Sequence, residues 1–135
     1  MRAAVLLAAV MLLPGHALGN DEAINALWND SGTKGEIGFW IYPVSGQCPE
    51  LRAKAKPLVF SPKVRRAEHS VGDLQYCFQL PEQSEMPLVQ CKSGIVRMTQ
   101  DERSKRYRGN YSFVMADGSK REGSFYAQYC AKGGS

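Results

Sequence analysis

The chain has few histidines and no apolar run long enough to cross a membrane as a helix. Only two of its 135 residues are histidines. Its longest apolar run, residues 3 to 13, is far shorter than the roughly 20 residues that a transmembrane helix requires. A glycine-rich phosphate loop between a strand and a helix is also missing, which argues against a nucleotide site. We therefore expect no membrane span.

The residues needed for catalysis are equally sparse. His69 lies beside Ser70 and four residues before Asp73, but residues this close in sequence rarely converge as nucleophile, base and orienting group. The four cysteines lack the short paired spacings of zinc sites. We predict that His69 is a surface loop residue. We also predict no catalytic residue, no metal and no cofactor, so the chain is not expected to be an enzyme.

The amino terminus has the pattern of a secretory signal. Arg2 precedes the apolar run, and small residues at Ala17 and Gly19 provide a cleavage site. A cysteine is absent from the last turn of this segment, which argues against a lipid anchor. We predict a signal peptide over residues 1–19, a single domain over residues 20–135, and a secreted or periplasmic location.

An even number of cysteines in a small exported domain predicts disulfides. Cys48, Cys77, Cys91 and Cys130 all follow the predicted cleavage site. We favour Cys48 with Cys77 and Cys91 with Cys130, while the alternative pairs Cys77 with Cys91 across one hairpin and Cys48 with Cys130. In either pattern each crosslink should stabilise the fold by roughly 2–4 kcal/mol.

Short strands and frequent turn residues follow one helical segment. Residues 20 to 32 place Ile24, Leu27 and Trp28 at helical spacing after a capping residue, which predicts a short amphipathic helix. Strands are predicted from 36 to 43, 58 to 62, 73 to 80, 88 to 91 and 94 to 100, with a break at Gly94 and one turn of helix at 50 to 55. The fold class is mainly β: a small antiparallel barrel or sandwich with one short N-terminal helix and two disulfides.

The last hairpin has a register that the sequence itself specifies. A three-residue loop of Ala116, Asp117 and Gly118 places Tyr111 opposite Gly123 and gathers the aromatic residues on one face. A two-residue Asp-Gly turn would instead place the aromatics opposite polar residues. We predict that the core face carries Tyr107, Tyr111, Phe113, Met115, Phe125, Ala127 and Tyr129, and that Gly109 and Gly123 each lie under an aromatic ring.

Basic residues occur in two clusters that are separate in sequence. The first contains Lys63, Arg65 and Arg66, and the second contains Arg97, Arg103, Lys105, Arg106 and Arg108 beside Tyr107. The net charge of +4 is too small to indicate a nucleic-acid binder. The candidate binding residues are Arg65, Arg66, Lys105, Arg106, Tyr107 and Arg108, whose alternative role is to solvate one end of a hairpin.

Two functions remain after these exclusions. The first is an exported protein-binding module, such as an inhibitor or immunity-type protein that caps a partner protein through loops at residues 42–57 and 61–73. The second is a small-ligand barrel for a lipid or glycan, with Trp40, Tyr42, Phe78 and the hairpin aromatics lining a cavity. A barrel of few short strands tends to fill its interior with its own side chains, which favours the first function.

Overall fold

The computed structural model describes residues 23 to 30, 36 to 48, 50 to 63 and 66 to 131. The predicted signal peptide and Arg65 lie outside these ranges. The elements in chain order are β1 (Ala26–Asp30), β2 (Ile37–Ile41), α1 (Glu50–Lys54), β3 (Leu58–Pro62), β4 (Glu68–Ser70), a 3-10 turn (Val71–Asp73), β5 (Leu74–Gln79), β6 (Val89–Asp101), β7 (Arg106–Met115) and β8 (Lys120–Tyr129). In these ranges no helix is long and apolar enough to span a bilayer.

Seven strands close into a barrel in the order β6, β5, β3, β2, β1, β8, β7, with β7 pairing back onto β6. Strand β4 pairs with the second half of β6, beyond the N-terminal end of β5. The fold class is therefore a β-barrel. Neighbouring strands are antiparallel except β1 and β8, which run parallel with Ala26 opposite Ala127. The prediction of an antiparallel barrel did not include this parallel pair.

The prediction of an N-terminal helix is wrong over the described residues of that segment, where Ala26–Asp30 forms β1. Ala26 and Trp28 face the barrel interior, while Leu27 packs in a second cluster outside the barrel. A strand that is buried on both faces has apolar side chains on both, so its sequence lacks the alternation of a half-buried strand. The spacing of apolar residues cannot distinguish such a strand from a buried helix. The same residues therefore satisfied a helical spacing.

The β7–β8 hairpin has the predicted register. Tyr111 is opposite Gly123 and Gly109 is opposite Phe125, and Gly118 has a φ of 90° in the turn. A Cβ placed on Gly123 would lie 3.3 Å from the Tyr111 hydroxyl oxygen, so the ring covers the bare backbone as expected. The predicted core face is buried or half-buried except for Tyr129, which is exposed.

Aromatic rings fill the barrel interior. Phe39, Phe60, Phe113 and Phe125 are each at most 2% exposed. The rings of Phe39 and Phe60 stack with centroids 5.0 Å apart, and Tyr107 meets Phe39 edge to face at 5.0 Å. Edge-to-face and stacked rings add to the free energy gained by burial. The barrel wall therefore encloses a packed core.

A second cluster covers the outer face of β1 and β8. It contains Ile24, Leu27, Tyr42, Leu51, Tyr126 and Cys130. Leu51 on α1 is fully buried in it, which places the predicted turn of helix against the barrel wall. The segment from 42 to 57 is thereby anchored to the wall, and Gly46 N–H donates to the Ile24 carbonyl oxygen at 2.9 Å.

The disulfides follow the alternative pairing, so the favoured pairing is wrong. Cys48 is bonded to Cys130, and Cys77 is bonded to Cys91. Cys77 on β5 and Cys91 on β6 belong to adjacent strands, with a Cα separation of 5.3 Å. Their pairing follows from which strands are neighbours in the barrel. The Cys48–Cys130 bond joins the segment before α1 to the end of β8.

Gly94 does not interrupt β6. The strand continues through it from Val89 to Asp101, with a register shift between Cys91 and Ser93. Gly94 has a φ of 127°, a conformation that residues with a Cβ rarely adopt. A Cβ at this position would lie 2.7 Å from the Phe113 Cα. The glycine thus allows β6 to bend and remain close to β7.

Candidate functional site

Three neighbouring strands bring outward-facing polar residues into two rows. In the first row Arg97 on β6 is opposite Asn110 on β7, which is opposite Ser124 on β8. In the second row Thr99 is opposite Arg108, which is opposite Tyr126. Period-two alternation directs these residues away from the core.

A groove of about 480 Å³ lies over these rows. We call it the basic groove and define it by Glu68, Arg97, Thr99, Arg108, Asn110 and Ser124, which are among the residues that line it. Glu68 enters from β4, because β4 pairs with β6 and places Glu68 opposite Arg97. Strands β6, β7 and β8, which are consecutive in the chain, therefore build this surface together with β4, which is separated from them by β5.

Tyr126 supports two of the arginines. The guanidinium carbon of Arg108 lies 4.8 Å from the centroid of the Tyr126 ring, and that of Arg106 lies 5.5 Å from it. Arg106 Nη1 also donates to the Tyr126 hydroxyl oxygen at 3.4 Å. Stacking on an aromatic face restricts a guanidinium without neutralising its charge. The ring thus holds Arg108 at the wall of the groove.

A carboxylate already lies at one edge of the basic groove. Arg97 Nε donates to Glu68 Oε1 at 3.0 Å. The side chains are 58% and 55% exposed, so water screens the pair and its contribution to stability is small. Another carboxylate, that of Asp101, belongs to the last residue of β6. The backbone N–H of Arg103 and the side chain of Ser104 hold its pKa below the ordinary value.

The structure brings part of the predicted binding set together. Arg106 and Arg108 share the Tyr126 ring, and Arg66 is exposed directly before Ala67, whose carbonyl oxygen accepts a hydrogen bond from Met98 N–H on β6. Arg66 of the first cluster therefore directly precedes a residue that lines the basic groove. Lys105 lies in the β6–β7 turn.

Tyr107 lies apart from this surface. Its side chain is buried, and its ring contacts Trp28 and Phe39 in the core. This agrees with the core face predicted for the hairpin, and the ring does not face the groove.

Five of the six residues that define the groove were not in the predicted binding set: Glu68, Arg97, Thr99, Asn110 and Ser124. The alternation along the last hairpin placed Asn110 and Ser124 on the polar face. Their position beside Arg97 depends on the register between β6 and β7, which shifts between Cys91 and Ser93. Nothing in the sequence indicated β4, which has only three residues. The segment from 61 to 73 was therefore expected to be a loop, and the pairing of β4 with β6 was not predicted.

The prediction for His69 is wrong. His69 is 1% exposed and lies in β4 opposite Val96, which belongs to the barrel core. The exposed Ser70 hydroxyl donates to Asp73 Oδ2 at 3.1 Å, and this hydrogen bond lowers the pKa of Asp73. Because strand alternation separates His69 from Ser70, the three residues do not form a catalytic arrangement.

Of the aromatics assigned to a ligand cavity, most hairpin residues fill the barrel interior, whereas Trp40, Tyr42 and Phe78 lie outside it. Trp40 on β2, Val59 on β3 and Phe78 on β5 form one cross-strand row. Tyr76 shares this face, with its ring centroid 5.7 Å from that of Phe78. Their neighbours Phe39, Phe60 and Cys77 point into the core instead. Tyr42 packs in the outer cluster.

The comparisons with known proteins yield no relative. No family model matches the chain, and neither the curated proteins nor the solved structures include a significant match.

Proposed function

We propose that this chain is an exported protein-binding module that caps a partner protein, in the manner of an inhibitor or immunity-type protein. The observation that carries the proposal is the packed interior of the barrel. Because Phe39, Phe60, Phe113 and Phe125 occupy the space inside the wall, the surface that remains for recognition is the outer one. The proposal assigns no catalytic role to the chain.

The alternative is a small-ligand barrel for a lipid or a glycan. Pockets for such ligands are concave, of about 300–1,000 Å³, and enclose most of the ligand. The residues expected to line that cavity, Trp40 and Phe78, lie on the outer wall. The packing therefore favours the protein-binding function over the carrier function.

The rigidity of the scaffold also supports binding to a protein. The Cys48–Cys130 bond and the buried Leu51 anchor the segment from 42 to 57 to the wall. A surface that is already ordered loses little conformational entropy on association. Two disulfides agree with an oxidising compartment, and we propose a secreted or periplasmic location.

An affinity experiment with residues 20 to 135, oxidised and immobilised, tests the proposal in extracts of the exporting cell. We expect one protein to be retained, and to bind in a fixed stoichiometry when both components are purified. Denaturing mass spectrometry of the purified chain is the second arm. A co-purified lipid or glycan, with no retained protein, would favour the carrier function and refute the proposal.

A further inference from the structure

Resting on the proposed function, we propose that the basic groove binds a side-chain carboxylate in an acidic segment of the partner protein. Arg97 and Arg108 supply the charge, and Asn110 and Ser124 supply further hydrogen-bonding groups in the same groove. The inference follows from the spacing of these residues, the support given by Tyr126 and the carboxylate of Glu68.

The two arginines are diagonal neighbours across an antiparallel pair. Arg97 is opposite Asn110 and Thr99 is opposite Arg108, so the arginines are offset by two residues. Diagonal positions are about 7–8 Å apart, which long side chains can bridge. Both arginines line the groove. The Arg97 side chain reaches Glu68 on β4 and that of Arg108 reaches Tyr126 on β8, so an acidic side chain that enters the groove meets a guanidinium group on either side. Their planar arrays of N–H donors match the geometry of a carboxylate.

One of the two arginines is held in place before any ligand arrives. Arg108 packs over the ring of Tyr126, itself a buried residue of the outer cluster. Restricting a long side chain in advance lowers the entropy lost on binding. Arg106 covers the same ring from the next outward position on β7, which adds positive charge beside the groove.

Glu68 points to the kind of anion that this surface recognises. Its carboxylate accepts the hydrogen bond from Arg97 Nε at the edge of the groove. Since both side chains are more than half exposed, the pair is weak and a competing carboxylate can replace it. The groove thus already holds the chemical group that we assign to the partner.

The charge of the chain favours an acidic protein segment over a polyanion. The chain has 17 basic and 13 acidic residues, and Glu68 is part of the groove itself. Proteins that bind nucleic acid or sulfated polymers usually neutralise many successive charges. A groove lined by two arginines and one carboxylate suits a single acidic side chain better.

An acetylated hexaglutamate peptide is the probe, and a hexaglutamine peptide is its uncharged control. Binding is measured by isothermal titration and by amide chemical shifts at low and physiological ionic strength. We expect hexaglutamate to shift the amides of Arg97, Thr99, Arg108 and Asn110, and the affinity to decrease with salt. Hexaglutamine should cause no such shifts.

Three variants test the assignment. The double variant Arg97→Gln, Arg108→Gln should bind hexaglutamate about ten-fold more weakly, because two charge-assisted contacts are lost. The control variant Arg103→Gln, Lys120→Gln removes the same charge at exposed positions outside the groove and should change affinity by less than about two-fold. Glu68→Gln should raise affinity by up to about five-fold, since it removes the competing carboxylate.

Several outcomes overturn the inference. Equal weakening in the two double variants would mean that only net charge matters. An unchanged affinity in Glu68→Gln would mean that Arg97 does not take part. Tighter binding to a heparin fragment or to anionic lipid vesicles than to hexaglutamate would assign the groove to a different class of partner.

The partner retained in the affinity experiment separates this inference from the proposed function. If the Arg97→Gln, Arg108→Gln variant retains the partner as well as the wild type does, the groove inference fails and the protein-binding function stands. If no protein is retained but hexaglutamate binds in the groove, the proposed function fails and the carboxylate site remains. The thermal unfolding midpoint of each variant is measured as a control, so that a loss of binding can be distinguished from a loss of folded protein.

Discussion

Trp28 Nε1 donates a hydrogen bond to the carbonyl oxygen of Lys105 at 2.8 Å, linking β1 to the turn between β6 and β7. The ring of Trp28 is buried and contacts Tyr107 edge to face, with centroids 5.1 Å apart. Lys105 has a φ of 60°, which is uncommon for a residue with a Cβ. The indole therefore stabilises the turn that precedes the arginines of β7.

Replacing Trp28 with Phe tests this link. The variant loses the N–H donor and part of the ring, so the free energy of unfolding should fall by about 1–3 kcal/mol. Urea denaturation followed by circular dichroism measures the change. Trp40→Phe is the matched control, because Trp40 is only partly buried on the outer wall. Equal losses in both variants would contradict a special role for the Trp28 hydrogen bond.

Gly94→Ala should strongly destabilise the barrel. Alanine at this position would have to adopt the φ of 127°, which is unfavourable for a residue with a Cβ. Its Cβ would also collide with the backbone of β7. We expect a loss of about 2–4 kcal/mol in the free energy of unfolding. In Gly72→Ala the nearest heavy atom to the new Cβ is Ser70 Oγ at 4.0 Å, so that control should change stability by less than about 0.5 kcal/mol. A mild effect at Gly94 would show that β6 has another conformation in solution.

The two disulfides should differ in their contribution to stability. The Cys48–Cys130 bond closes a loop of 82 residues, and the Cys77–Cys91 bond closes one of 14. On the chain-entropy argument the longer loop contributes about 1.5 kcal/mol more. Cys48→Ser, Cys130→Ser should therefore lower the urea midpoint more than Cys77→Ser, Cys91→Ser. The reverse order would contradict this argument, and non-reducing peptide mapping checks the connectivity itself.

Alkaline pH should weaken the fold through its buried tyrosines. Burial raises the pKa of Tyr111 and of Tyr42 above the ordinary value of 10.0, with Arg121 and Arg52 acting in the opposite direction. The unfolded chain therefore ionises first as pH rises. The stabilisation is fully present below pH 10 and is lost as pH rises through the folded pKa.

Urea denaturation at a series of pH values measures this loss. Tyr111→Phe should reduce the slope of stability against pH above pH 10, because it removes one ionising group. If the free energy of unfolding fell with pH equally in Tyr111→Phe and the wild type, the Tyr111 hydroxyl would be in contact with water and the prediction would be wrong.

The last hairpin shows how much the sequence alone can predict. Its turn is local, and Gly118 supplies the conformation that a three-residue loop requires. Strand alternation then leaves one register in which Tyr107, Phe113 and Phe125 share the buried face. Both determinants lie within about twenty residues of each other, so no knowledge of the remaining chain was needed. The strand at 58 to 62 and the turn of helix after residue 50 were predicted for similar local reasons.

The basic groove and the disulfide pairing could not be predicted in the same way. Whether Cys77 bonds to Cys91 depends on β5 lying beside β6, and whether Arg97 lies near Glu68 depends on β4 pairing with that strand. Which strands are neighbours in a barrel depends on how all seven strands pack around a common core. A local sequence pattern does not specify this pairing. His69 and β1 were mispredicted for the same reason.

The sequence by itself determined that the chain is mainly β, that its cysteines can pair and that its final strands form a hairpin with the rings inside. Turn residues and side-chain alternation act over short distances, which is why those features can be read directly. The tertiary structure alone decided that β1 lies parallel to β8, that Trp40 and Phe78 face outward and that β4 completes the basic groove beside β6. These features arise from contacts between residues far apart in the chain, whose pairing is settled only when the barrel closes.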